Sequence, residues 1–268
     1  MKKIAISKKW QIISIIYCSF YFCLTNPLSA NDSKNEFGVY FGTKIYEERH
    51  PVDNSFFMSQ DGYMLGIIGN NESYSNDLYS GFKYQLGVGE VNYTSAGTGT
   101  MTGIPDYQLE GTGYLGIPIK INDNRLTLFG GLGYRYLLNA SGLKQSSTGH
   151  SGYDRESRYM YVPIGLNYEI KSNNESYWEF RAEYLYFLYG QQTSKISQVS
   201  ANYNDITNDQ EDGSGLKLRA KFHFNSLTGI EGYMDYWDIA DSKLDVTGNF
   251  MEPRNTTSET GIRYFWKF

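Results

Sequence analysis

His50 is the first residue of this sequence that could take part in hydrolysis. It follows Glu47 and Glu48 and precedes Asp53 in a polar segment. A histidine beside a carboxylate can act as a general base, with the carboxylate orienting the ring or a water molecule. No Asp-x-Asp or His-x-Asp spacing accompanies it. His50 is therefore a candidate by residue type alone, and it has no defined catalytic partner.

His150 lies in a second polar segment, next to Ser151 and four residues before Asp154. A base beside a hydroxyl could activate a nucleophile. Adjacent residues of an extended chain point in opposite directions, however, so the pair has poor geometry. His223, the third histidine, belongs to a regular alternating segment. We assign no catalytic residue and expect a non-enzymatic protein, with a surface hydrolase as the alternative.

Four acids in a later polar segment could suggest a divalent cation: Asp205, Asp209, Glu211 and Asp212. Their spacing lacks the Asp/Asn and Gly positions of a calcium loop. Cys18 and Cys23, the two cysteines, both lie near the N-terminus, so cysteine chemistry is not expected later in the chain. We predict no metal site and no cofactor.

Two clusters mix aromatic and charged residues, at positions 153–158 and 236–241. Amphipathic rings and ionic groups of this kind suit a membrane–water interface. Anchoring and loop-base salt bridges are the favoured interpretation, and a ligand site is the alternative.

These groups must be positioned by β-strands, because apolar residues alternate along most of the chain. The last strand shows the pattern most sharply: Ile262, Tyr264, Trp266 and Phe268 share one parity, while Arg263 and Lys267 share the other. In a strand, that parity separates an apolar face from a charged face. This closing strand resembles the C-terminal strand of bacterial outer-membrane β-barrels, and we take the four apolar residues as an assembly signal.

The same alternation predicts about ten strands, although eight or twelve remain possible. Their approximate ranges are 36–46, 61–69, 78–92, 107–120, 125–138, 159–170, 178–188, 216–224, 230–237 and 260–268. Short polar turns are expected near 70–76, 121–124, 171–175 and 225–229, and longer loops near 48–60, 94–105, 141–156, 191–213 and 241–258. We predict an all-β, antiparallel up-and-down transmembrane β-barrel rather than a soluble β-sandwich, because short turns alternate with long loops. The mean hydropathy of −0.48 fits strands that are apolar at every second position.

The N-terminus predicts export. Lys2, Lys3, Lys8 and Lys9 precede an apolar run at 12–24, and a cleavage site follows Ala30. We predict a signal peptide over 1–30 and a barrel over 31–268. Together with the closing strand, this places the chain in the bacterial outer membrane, after export through the inner membrane.

The outer-membrane resemblance also implies partners and relatives. Partners would be outer-membrane lipid and lipopolysaccharide, with periplasmic chaperones and the barrel-assembly machinery during biogenesis. Ten-stranded barrels include the omptin proteases, which this chain resembles in architecture but not in catalytic motif. The formal net charge is −5, so the strongly basic composition typical of nucleic-acid-binding proteins is absent.

The charged residues, whose parity is opposite to that of the apolar residues, would fill the barrel interior. Small barrels have interiors that side chains just fill, so a plugged lumen is favoured over a narrow pore. We predict a structural, surface-interaction or narrow-pore role. The predicted lumen network comprises Lys83, Glu110, Arg135, Glu179, Arg181, Glu183, Lys217, Arg219, Lys221, Glu231, Asp235 and Arg263.

Overall fold

The structure is a computed structural model that describes residues 32–171 and 176–268. The predicted signal peptide lies outside these residues, as does most of the turn expected at 171–175. Among the described residues, no helix has the length and hydropathy to cross a bilayer. Over residues 32–171 and 176–268, the regular structure is eleven strands and one short 3₁₀ helix, Ile196–Gln198.

The strands follow one another in antiparallel order. Their bounds are β1 Asp32–Arg49, β2 Phe56–Tyr74, β3 Tyr79–Ser95, β4 Gly99–Ile121, β5 Asn124–Asn139, β6 Arg155–Lys171, β7 Tyr177–Ser194, β8 Ile206–Gln210, β9 Gly213–His223, β10 Thr228–Ile239 and β11 Asn255–Lys267.

Ten of these strands close into a ring. The order around it is β6-β5-β4-β3-β2-β1-β11-β10-β9-β7, and pairing of β6 with β7 completes the circle. The remaining strand, β8, pairs only with the C-terminal part of β7, at residues 190–194. There it lies on the same side of β7 as β9, which pairs with residues 177–186. The predicted ten-stranded antiparallel barrel is confirmed.

Alternating apolar residues face outward and form a continuous belt. On the closing strand, Ile262, Tyr264 and Trp266 lie in register with Phe41, Val39 and Phe37 of β1, and all six side chains are substantially exposed. Phe268, the fourth residue of the predicted assembly signal, is 82% exposed, and its backbone N–H donates to the carbonyl of Asn35. A belt of apolar and aromatic side chains on the outer surface is typical of barrels in lipid.

The two ends of the barrel differ. The turn end carries both termini of the described chain and the short turns, whereas the loop end carries three long connections at 140–154, 195–205 and 240–254. Two segments predicted as long loops, 48–60 and 94–105, are instead mostly strand, because β1 to β4 extend beyond the apolar belt. Apolar residues occur on both faces of these extensions, with Phe57 exposed and Met58 and Ile104 buried, so apolar alternation could not reveal them.

Aromatic side chains form a separate core inside the barrel, towards the loop end. Trp237 is 1% exposed, and its ring centroid lies 5.1 Å from that of Tyr161 and 6.2 Å from that of Tyr159. Leu137, Leu185, Phe187 and Ile239 complete the cluster. The ring of Tyr161 lies over Gly133, where a Cβ atom would be 2.1 Å from the ring, so glycine provides the space.

Candidate functional site

The predicted lumen residues lie inside the barrel. Eleven of the twelve are buried, and Lys83 is partly exposed. The buried ones are Glu110, Arg135, Glu179, Arg181, Glu183, Lys217, Arg219, Lys221, Glu231, Asp235 and Arg263. Alternation explains this placement, since each residue has the parity opposite to that of the apolar belt.

Some of these charges pair between neighbouring strands. Arg219 of β9 binds Asp235 of β10, and its Nε lies 3.6 Å from Oε1 of Glu231. Arg263 of β11 donates to Glu231 over 2.6 Å. Such pairs follow from the register of adjacent strands.

Other ion pairs join strands on opposite sides of the ring. Nη1 of Arg181 on β7 lies 3.4 Å from Oε1 of Glu72 on β2, and these strands are five places apart in either direction. The Arg181 guanidinium also donates through Nε to Glu183 over 2.7 Å. This pair spans the lumen towards the turn end, because Glu72 lies two residues before the end of β2 and faces Lys34 in the β1–β2 ladder.

Two further pairs span the lumen near its ends, both between β1 and β6. At the turn end, Nζ of Lys34 lies 2.8 Å from Oε1 of Glu169. At the loop end, Arg155 of β6 binds Glu48 of β1. Because β1 and β6 also lie on opposite sides of the ring, three ion pairs bridge the barrel, two towards the turn end and one at the loop end.

Arg155 binds a second carboxylate, Glu252, which belongs to the 240–254 loop. The hydroxyl of Tyr46 donates to Glu48 over 2.7 Å. Burial raises the pKa of the Glu252 carboxyl to about 8, opposed by Arg155 and reinforced by Glu48. The cluster therefore fastens the 240–254 loop to the rim of the barrel.

Sequence reasoning missed several members of this network. Glu36, Glu48, Glu72 and Asp106 are buried and have interior parity, but they lie in segments where alternation is weak or had been read as loop. Lys44, which pairs with Asp106, opposes the apolar parity of β1 and could have been found from that signal. Glu252 carries no periodic signal at all, because it lies in a loop.

The three histidines have separate neighbours. His50 lies 3.3 Å from Asp53 within one exposed turn, and Nδ1 of His150 lies 2.9 Å from the hydroxyl of Thr148. His223 is buried at the turn end, stacked on Tyr177 with ring centroids 3.9 Å apart. Over the described residues, His50 and His223 each have one carboxylate within 4 Å, from Asp53 and Glu179, and His150 has none.

The acidic residues of the fourth predicted loop have separate partners. Asp205 accepts from the hydroxyl of Ser197 over 2.6 Å, and Asp209 accepts from the hydroxyl of Tyr189 over 2.6 Å. Glu211 lies 2.7 Å from Lys243. No group of three or more potential metal ligands occurs in the part of the chain that the structure describes.

The two aromatic and charged clusters divide between the faces of the barrel. In 153–158, Arg155 faces the interior, whereas Arg158 and Glu156 form a surface pair 2.7 Å apart. In 236–241, Trp237 belongs to the aromatic core, and Asp238 binds Arg254 over 2.6 Å on the surface. These contacts are loop-base salt bridges and core packing.

Two small cavities lie in the lumen on either side of Lys83. The first, about 20 Å³, is lined by Glu36, Lys221, Glu231 and Arg263, and the second, about 10 Å³, by Gln85, Glu110, Glu183, Lys217 and Arg219. A polar cavity of this size holds one or a few water molecules. The interior thus consists of ionic bridges, an aromatic core and water-sized spaces.

Comparison with known proteins identifies a fold and no sequence family. No family model and no curated protein matches the sequence. Among solved structures, the outer membrane protease OmpT from Escherichia coli aligns with a TM-score of 0.60 at 10% identity, covering 91% of this chain and 99% of that one. At this identity the likeness concerns the fold alone, and it confirms the resemblance to ten-stranded outer-membrane barrels.

Weaker structural matches have different activities. An outer membrane channel from Pseudomonas putida F1 aligns with a TM-score of 0.35 at 12% identity, covering 91% of this chain and 100% of that one. Outer membrane phospholipase A from Escherichia coli aligns with a TM-score of 0.28 at 10% identity, covering 87% and 96%.

Proposed function

We propose that this chain is a closed, non-enzymatic outer-membrane barrel whose role is structural and lies in contacts made by its loop end. The observation that carries the proposal is the set of ion pairs joining opposite walls towards both ends of the barrel: Lys34–Glu169, Arg181–Glu72 and Arg155–Glu48. Side chains that meet across the full width of a small barrel leave no continuous aqueous path.

The outward belt supports the proposed location. It would contact outer-membrane lipid, with lipopolysaccharide around the loop end, after export by a signal peptide cleaved behind Ala30. The exposed closing residues, Phe268 among them, would be available to periplasmic chaperones and to the barrel-assembly machinery before insertion.

Surface contacts are favoured by apolar residues at the tips of three loop-end connections. Val52, Leu143 and Val246 are 87%, 100% and 102% exposed. The loop carrying Val246 is held in shape by Asp245, which accepts from the hydroxyl of Thr247 and from the backbone N–H groups of Asn249 and Phe250. Ordered loops with exposed apolar tips are suited to binding another molecule.

Planar-bilayer recording tests whether the barrel is closed. We expect no stable single-channel steps from the refolded protein. A double variant, Arg155→Ser with Arg181→Ser, removes two of the spanning pairs and should produce intermittent openings, which shows that the measurement can detect a path. Stable steps from the unmodified protein would instead support a narrow pore.

The alternative of a surface hydrolase, protease or lipid-modifying, is favoured only by the fold shared with OmpT. Peptidase and lipid A assays on the intact protein address it. Activity that disappears in His50→Ala or His150→Ala, but persists in the buried-ring variant His223→Phe, would replace the non-enzymatic proposal.

A further inference from the structure

Lys83 differs from the lumen cations around it. Lys221 lies 2.8 Å from Glu36, Arg263 lies 2.6 Å from Glu231, and Lys217 binds Glu110. Lys83, by contrast, has no carboxylate oxygen within 4 Å of Nζ among the described residues. A charged amine inside a protein is costly unless an opposite charge or several hydrogen bonds compensate it.

The acid that acts most strongly on Lys83 is shared with other cations. Glu231 is the carboxylate with the strongest electrostatic influence on Lys83, but three other cations already surround it. Arg263 lies 2.6 Å from it, and Arg219 and Lys221 each lie 3.6 Å from it. One carboxylate shared by three cations leaves Lys83 as surplus positive charge in the centre of the barrel.

The cavities beside Lys83 are lined by hydrogen-bond donors without partners. Nε of Arg263 has no hydrogen-bond partner beside the larger cavity, and Nε2 of Gln85 has none beside the smaller one. Nε of Arg219, also beside the smaller cavity, has no hydrogen bond and lies 3.6 Å from the nearest carboxylate oxygen, Oε1 of Glu231. All three side chains are more than nine-tenths buried. The unpaired acceptor in these walls is Oε1 of Glu36, which a water molecule in the larger cavity could serve.

We propose that the amine of Lys83 binds a halide, with chloride as the natural ion, in the larger of the two lumen cavities. Lys83 supplies the charge and up to three donors, and Nε of Arg263 supplies a further donor. A halide is only slightly larger than water, so a cavity of about 20 Å³ can accept it where a phosphate or carboxylate could not. Water would occupy the smaller cavity.

The site lies inside the barrel, and refolding in the presence of the ion ensures that the ion can reach it. The protein should therefore be refolded separately in sodium chloride, sodium bromide and sodium gluconate at one ionic strength. We expect the urea midpoint of unfolding to rise with chloride or bromide in a saturable way, and not with gluconate. A ligand that binds only the folded state stabilises it according to its concentration relative to Kd.

Two variants and one crystallographic measurement decide the matter. Lys83→Gln should lose the halide effect, and the same substitution at the exposed Lys120 should keep it. If Lys83→Gln fails to fold, crystals of the unmodified protein refolded in bromide should show an anomalous peak beside Nζ of Lys83. Equal midpoints in all three salts, or only water beside Nζ, would overturn the proposal. Neither result would bear on barrel closure, which conductance measures independently.

Discussion

Arg181 and Glu72 join β7 to β2 across the whole width of the barrel, with Nη1 and Oε1 3.4 Å apart. Arg181 also contacts two aromatic rings, at 4.4 Å from the centroid of Tyr114 and 4.0 Å from that of Phe129. A single guanidinium thus connects two carboxylates, Glu72 and Glu183, with a cluster of rings. The consequence is that the turn-end half of the lumen is held by one residue with many buried partners.

Replacing Arg181 by Met should therefore be strongly destabilising. The change leaves Glu72 and Glu183 without their principal cation, and breaking a buried pair from one side costs roughly 3–5 kcal/mol. The free energy of unfolding in urea, followed by tryptophan fluorescence in detergent micelles, measures the loss. Lys243→Met is the matched control, because Lys243 pairs with Glu211 on the exposed surface and should cost no more than about 1 kcal/mol. Equal effects of the two variants would contradict a lumen held by Arg181.

The rim cluster predicts a pH dependence. An isolated glutamate titrates near 4.5, whereas burial raises the pKa of Glu252 to about 8. Between these values the folded protein retains a proton that the unfolded chain has lost. The contribution of this proton to the stability of the folded protein is therefore complete below pH 4.5 and is lost as the pH rises through about 8.

The Glu252→Gln variant isolates this effect, since glutamine stays neutral at every pH. Relative to that variant, the unmodified protein should lose stability with rising pH, by at most about 1.4 kcal/mol per pH unit. Urea midpoints measured across the neutral range provide the comparison. Glu211→Gln, a change in an exposed surface pair, should leave the slope of the unmodified protein in place. If the urea midpoints of the unmodified protein and of Glu252→Gln changed with pH in parallel, Glu252 would not hold a proton at the rim.

Side-chain parity allowed the strands and the interior position of the charges to be predicted, because a strand alternates its faces whatever it pairs with. It could not predict which charges meet. Lys217 lies beside Glu183 in the ladder but binds Glu110 four strands away, because closure and tilt of the barrel set distances across the lumen. Glu252 and Glu72 lay beyond prediction for a simpler reason, since neither belongs to a strongly alternating segment.

The aromatic core predicts a cost for removing its central ring. Trp237→Ala would leave a cavity among Tyr159, Tyr161 and Arg135, whose guanidinium carbon lies 5.0 Å from the Trp237 ring centroid. Loss of a fully buried aromatic side chain costs about 3–5 kcal/mol. Trp178→Ala is the control, because Trp178 is 41% exposed on the outer belt and leaves no interior cavity. Thermal unfolding in detergent should separate the two variants clearly, and similar transitions would argue against a packed interior.

The closing strand predicts a difference between assembly and stability. Phe268 contributes an outward, 82% exposed ring and one backbone hydrogen bond to Asn35. Deleting it should therefore change the unfolding free energy of the refolded barrel by only about 1 kcal/mol. The fraction of protein inserted by the barrel-assembly machinery should fall much further, if that machinery recognises Ile262, Tyr264, Trp266 and Phe268 as a signal.

Reconstituted insertion into proteoliposomes, scored by protease protection, measures the inserted fraction. Spontaneous folding into micelles measures the stability of the barrel. Phe250→Ala, which removes an exposed ring from the loop end, should leave both unchanged. Equal losses in the two assays would mean that Phe268 acts through barrel stability rather than through recognition.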